Sequence, residues 1–285
     1  MGTRLFRCIL TAAAVLAAVP VFGQGRGGYK PPEGPAPKLD GKPDFSGIWQ
    51  RPYTPDMSIT ATNLDGKPYP PEKPGPAGRG QVDPNPPAAN GRGGGRGGPR
   101  VLPFTEWGLK QWKEYDPVNG DYTGACLPFG LVRSMNSPDP TQIMQSKEYM
   151  SILFEQNTWF KVFPLDGRPH DPNKTPTWFG DSVGHWEGDT LVVDTTNFNG
   201  RTRLDTNGHP HSDQLHIIER WQRPDLGHIK YEMIVDDPKA YTEKWKNERT
   251  FTLRTDWQIM EYSCEENNKS LWEGRIKIPN YDSWK

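Results

Sequence analysis

Residues 180–195 read GDSVGHWEGDTLVVDT, the spelling of a β-hairpin. Residues 182–186 form one strand and the β-branched, apolar run 190–194 its partner; between them Glu187-Gly188-Asp189 supplies a residue that tolerates positive φ where a tight reversal needs one. Side chains alternate across a strand, so Leu191 and Val193 share one face and Val192 and Asp194 the other. The first face is a core candidate. The second is mixed, and its carboxylate, Asp194, faces either a cavity or water.

On either side of the hairpin, strand-like runs succeed one another with short, turn-rich connections: 142–145, 149–155, 159–164, then the hairpin, then 214–223, 228–236, 245–254 and 257–264. A first strand lies in PDFSGIW, residues 43–49, where Phe45, Gly47 and Trp49 alternate with Ser46 and Ile48. The only helical spacing is TEWGLKQWKEY, residues 105–115, with Leu109 and Trp112 three apart after a Thr able to cap. Sequential strands without long helices between them predict a mainly β fold, an antiparallel meander closing into a barrel or a strongly curled sheet, with one short helix and long irregular loops. Residues 116–140, rich in Pro, Gly and Asn, read as an ordered, irregular strap.

The ends and one insertion have other compositions. Arg4 and Arg7, the apolar run 9–22 and the small Gly23 give the order of a secretory signal peptide over residues 1–23, cleaved near Gly23-Gln24. Residues 24–44 read as a flexible arm, and 45–285 as a single barrel-like domain interrupted by a disordered Gly/Pro/Arg-rich insertion at 67–100. Export points to a periplasmic or secreted protein. In an oxidising space the two remaining thiols, Cys126 and Cys264, pair as a disulfide or stay separately buried. A formal net charge of -1 gives no field for nucleic acid, and no later run approaches the ~20 apolar residues of a membrane helix. The composition does not fix an oligomeric state.

Gly47-x-Trp49 ahead of an up-and-down series resembles the lipocalin or calycin style of barrel. The longer pattern PDFSGIW, CLPFG, DGRPHDPN, GDSVGHWEGDTLVVDT, GHPHS and WQIMEYSCEENN resembles a family of exported bacterial proteins in which similar words recur in the same order. The resemblance implies export and one unit of fold. It carries over no catalytic residue.

Chemistry therefore has to be sought among the residues. His209-Pro210-His211 is an H-x-H; on an extended segment both imidazoles project to one side, and His216 or His185 completes a three-histidine set with an open position for a divalent metal. The alternative is a loop whose histidines hydrogen-bond locally. Asp205, before this loop, and Glu219, on the same strand face as Leu215, Ile217 and Trp221, are carboxylates that with His209 and His211 suit general acid–base work. If that face points inward, Glu219 needs a partner such as Arg133 or Arg249. The ligand-contact candidates are His170, Asp181, Trp178, His185, Trp186 and Arg133. No nucleophile elbow, phosphate-cradling loop or dinucleotide fingerprint is present, and no cofactor beyond a divalent metal is indicated.

Eleven Trp, ten Tyr and eleven Phe are enough to line a cavity as well as fill a core. The sequence thus points to an exported protein binding a small apolar or carbohydrate-like molecule at one end of a β-barrel. The alternatives are a hydrolase, lyase or isomerase using His with a carboxylate or a His-bound metal, and a structural surface protein without a site.

Overall fold

The computed structural model describes residues 28–72, 98–116 and 121–276. The expected signal peptide and the centre of the insertion, 73–97, lie outside them. Residues 28–30, the described part of the N-terminal unit 1–30, carry no regular secondary structure; every strand and helix belongs to the unit that begins at Pro31.

Among the described residues twelve strands run in chain order as β1 (Lys38–Leu39), β2 (Lys42–Pro43), β3 (Gly47–Gln50), β4 (Thr62–Asn63), β5 (Thr141–Gln145), β6 (Tyr149–Phe154), β7 (Phe160–Pro164), β8 (Asp181–Glu187), β9 (Thr190–Thr196), β10 (His216–Gln222), β11 (His228–Asp236) and β12 (Trp245–Leu253). Strands β3 to β12 form one antiparallel sheet, nearly closed into a barrel. From β5 to β12 each strand pairs with its neighbours in sequence except across β7 and β8, while β3 pairs with both β5 and β12, the last. A meander whose two ends hydrogen-bond to each other has only one seam left, between β7 and β8. There the Gly167 N–H donates to the Gly184 carbonyl at 2.9 Å. A Cβ at Gly184 would stand 2.9 Å from a Leu165 methyl and 3.3 Å from the Pro164 carbonyl, so the close approach needs glycine.

The hairpin β8–β9 turns at Gly188 and Asp189, with Glu187 opposite Thr190 and Gly188 at φ 62°. Its Leu191 and Val193 point inward in register with Trp221 and Glu219, and these with Tyr231 and Met233. The centre is filled by Trp49, Trp221, Trp245, Tyr231 and Phe251, all essentially inaccessible, with Trp221 edge-on to Tyr231 at 4.7 Å.

Several expectations need correction. The arm is ordered from Pro31: β1 and β2 make a small hairpin, and Lys42 donates to the Gly188 carbonyl at 2.9 Å. The ends of the insertion pair as well, Glu72 N–H to the Pro99 carbonyl at 2.8 Å and Val101 N–H to the Pro70 carbonyl at 2.9 Å. The helix α1 (Glu106–Glu114) forms with Thr105 as its N-cap, but the strap also holds a buried helix, α2 (Leu131–Asn136), and a third, α3 (Lys269–Trp272), lies near the C-terminus. Residues 257–264 are not a strand: they pair with no strand among the described residues. That segment is instead tied back by the Cys126–Cys264 disulfide, with Cα atoms 5.5 Å apart.

Candidate functional site

Three polar centres gather the residues singled out from the sequence. The first is the GHPHS loop. His209 and Asp205 come together there, Nδ1 lying 2.6 Å from the Asp205 carboxylate, which also accepts the Met57 N–H at 2.7 Å and the His209 N–H at 3.2 Å. Helix α1 covers them: Trp112 lies parallel to the imidazole at 5.5 Å and Phe104 at 6.0 Å. Burial disfavours the charged imidazole, but the Asp205 charge outweighs it and the His209 pKa is raised. Asp56 joins the pair, one ligand atom from each of Asp56, Asp205 and His209 lying within 4.8 Å of the others.

The three-histidine metal set is not assembled. His211 Nδ1–H donates to the Ser212 carbonyl at 2.9 Å, which leaves Nε2 to accept the Thr202 hydroxyl at 2.6 Å. Burial pushes its pKa down to about 4, so this imidazole is neutral. His216 instead turns Nε2 to Asp194 at 2.8 Å. Proline between His209 and His211 makes a loop in which strand alternation does not hold, and the rings diverge.

The second centre lies on the outer face of β8–β10. His170 binds Asp181 through Nδ1 at 3.0 Å and Asp194 through Nε2 at 2.9 Å, and Asp194 holds His216 with its other oxygen. Lys174 pairs with Asp181 and Lys244 with Asp236. Asp194 thus lies on the outer face, partly exposed, and bridges two histidines. A ring with a carboxylate at each nitrogen must carry both protons, and although burial opposes this, Asp194 and Asp181 raise the His170 pKa. Trp178, half-buried, belongs to the same connection between β7 and β8.

The third is interior. Glu219 accepts from Lys161 Nζ at 2.6 Å and from the Tyr231 hydroxyl at 2.9 Å, with Thr195 and Ser182 continuing the chain. Its partner is therefore neither Arg133 nor Arg249. Arg133 makes a two-pronged contact with Asp121. Arg249 and Arg51 instead cap the C-terminal carbonyls of α2, at Met135 and Ser134 respectively, where the helix dipole favours cations. Lys161 was hidden in the sequence because FKVF alternates the wrong way: Phe160 and Val162 are exposed while Lys161 is buried.

The remaining ligand candidates stand apart. Trp186 stacks on Phe45 at 6.0 Å under Lys42, and His185 is exposed beside Glu187. A cleft instead opens on the outer wall. Between its pairings with β3 at Thr252 and Leu253 and with β4 at Trp245 and Lys246, one edge of β12 has no strand partner, and Asn247 Nδ2 donates to the Met57 carbonyl of the segment 52–60 at 3.2 Å. The cleft, of ≈ 790 Å³, lies there. One wall is Pro52, Tyr53, Pro55 and Asp56; the other is a polar lattice from β10, β11 and β12, including Gln222, Lys230, Glu232, Glu248 and Thr250, with Tyr231 and Arg249 behind it. Tyr53 is exposed to the cleft side of the segment. Nothing in the sequence marked it, because YTPD reads as an ordinary turn. Comparison of the chain with protein-family models, with curated proteins and with solved structures returns no match, which leaves this geometry as the guide to function.

Proposed function

We propose that the chain is an exported binding protein for a polar, carbohydrate-like small molecule, held in the cleft between residues 52–60 and strands β10–β12. The observation that carries this reading is the cleft: its ≈ 790 Å³ falls in the range of small-molecule sites, and a tyrosine wall faces a lattice of alternating donors and acceptors. Hydroxyl groups of a sugar satisfy such a lattice, while an apolar ligand would strip water from Lys230, Glu232 and Glu248 without replacing their hydrogen bonds. The filled barrel centre favours this wall over the barrel mouth. Export into a periplasmic or extracellular space is supported by the disulfide and by the N-terminal pattern.

Calorimetric titration with neutral and acidic oligosaccharides tests the proposal. Binding should weaken at least tenfold in Tyr53→Ala and in Lys230→Ala, with unchanged melting, since both side chains are on the wall and neither packs the core. Absence of saccharide binding, or binding indifferent to both changes, refutes it. A second reading, a hydrolase using His209 with Asp205, is favoured by their 2.6 Å contact. Release of reducing ends from a bound oligosaccharide, abolished in a folded His209→Gln variant, would select it.

A further inference from the structure

Two carboxylates near the cleft share one histidine as their close basic partner. Asp205 is fully inaccessible, and Asp56 is half-buried on the cleft wall. Among the described residues neither forms an ion pair with lysine or arginine, and the only basic group in contact with Asp205 is His209. Buried charges in proteins are paired or coordinate metals. Lys161 with Glu219 and Arg133 with Asp121 show the first solution elsewhere in this chain.

We infer that Asp56, Asp205 and His209 form a divalent-cation site on the wall of the cleft. Their three donor atoms already lie within 4.8 Å of one another. Donors bound tetrahedrally at about 2.1 Å stand about 3.4 Å apart, so small side-chain rotations bring all three to one ion. Two carboxylates, with an imidazole whose extra proton the metal displaces on binding, offset a 2+ charge. The groups that orient them are in place: Met57 N–H on Asp205 at 2.7 Å, Ser58 N–H on Asp56 at 2.9 Å and Asn207 Nδ2 on Asp56 at 3.2 Å. Ligating carboxylates ordinarily accept such outer hydrogen bonds. One nitrogen and two oxygens suit zinc or manganese better than calcium, which takes six to eight oxygens. Three protein donors leave a fourth position, and because Asp56 lines the cleft, that position belongs to the cleft side. The site is independent of the saccharide proposal: either can fail alone.

The experiment is titration of chelator-treated protein with Zn²⁺ and with Mn²⁺ alone, followed by elemental analysis after dialysis and by melting at rising metal concentration. One ion per chain and a melting temperature that climbs with concentration are expected. Asp56→Asn keeps the cap on Ser58, since Asn caps as well as Asp, but removes a charged ligand. It should melt like wild type without metal and bind at least tenfold more weakly. No binding of either ion overturns the site, as does equal affinity in wild type and Asp56→Asn. Affinity lost instead in His216→Ala would assign the ion to the outer histidine pair and overturn it equally.

Discussion

A lysine facing a glutamate inside a barrel is held by geometry rather than by preference. Lys161 is drawn inward by the alternation of β7, opposite Ile152, and burial lowers its pKa, with the Glu219 charge opposing that. Replacing one partner leaves the other uncompensated, so Lys161→Met should cost about 3–5 kcal/mol in urea unfolding, and Lys161→Met with Glu219→Gln together should recover much of it. Equal losses in the single and double variants would show that the two do not act as a pair. His211 differs, being neutral and satisfied by Thr202 and Ser212. His211→Ala should lower stability by about 1–3 kcal/mol through the orphaned partners and leave saccharide and metal binding unchanged. Loss of binding at full stability would return the loop to the functional centre. His170 sets a pH dependence. Its pKa is raised above the usual 6.5 in the folded chain, so its contribution is complete below about 6.5 and lost as pH rises through the folded value. Asp194 and Asp181 are held below the usual carboxylate range despite burial, by His216 and by Lys174 with His170, so their share is lost as pH falls through the acid range. Wild type should therefore lose melting temperature relative to His170→Gln as pH rises above about 6.5; parallel profiles would remove His170 from the account.

Among the strands and helices, periodicity carried most of the sheet. The hairpin, β11 and the first helix stand where alternation and capping put them, because each has a local cause. What alternation does not contain is which run finds a partner: WQIMEYSC alternates like a strand but pairs with no strand among the described residues. Helix α2 was hidden for the reverse reason. LVRSMN is too short for periodicity and is held by distant groups, Arg51 and Arg249, on its last carbonyls. The same limit applies to the site. Asp205 with His209 was legible as a neighbouring pair, whereas Asp56 and Tyr53 reach them only through folding. The insertion allows a test of what an element needs around it. Glu72 and Pro99 already face each other, so replacing 73–97 with a two-residue Asn-Gly turn joins ends that are already paired, and loop length changes closure entropy little. Melting within about 4 °C of wild type is expected, and a drop beyond about 8 °C, upwards of roughly 2 kcal/mol in a domain of this size, would mean that the removed residues pack.

Across the molecule as a whole, the pairing of β3 with β12 joins the chain's two halves, and no strand ladder joins them at the seam between β7 and β8. The connection across that seam includes exposed residues 171–176, with Lys174 the residue trypsin would cut; Arg168 is protected by the proline that follows it. Cleavage after Lys174 leaves Cys126 in one fragment and Cys264 in the other, and their disulfide, spanning 138 residues, joins them covalently. In the native state the fragments should stay associated through the β3–β12 pairing and the shared core. Under denaturing, unreduced conditions they should still migrate together, and on reduction they should separate into pieces of 174 and 111 residues counted from the full sequence of 285. Separation without reductant would exclude the disulfide. The same nicked protein, reduced without denaturant, isolates what the bond contributes: closure of a loop this long stabilises by roughly 4–5 kcal/mol in the chain-entropy model, so melting of the uncut protein should fall on reduction, and that of the nicked protein should fall further because its halves then become separate molecules.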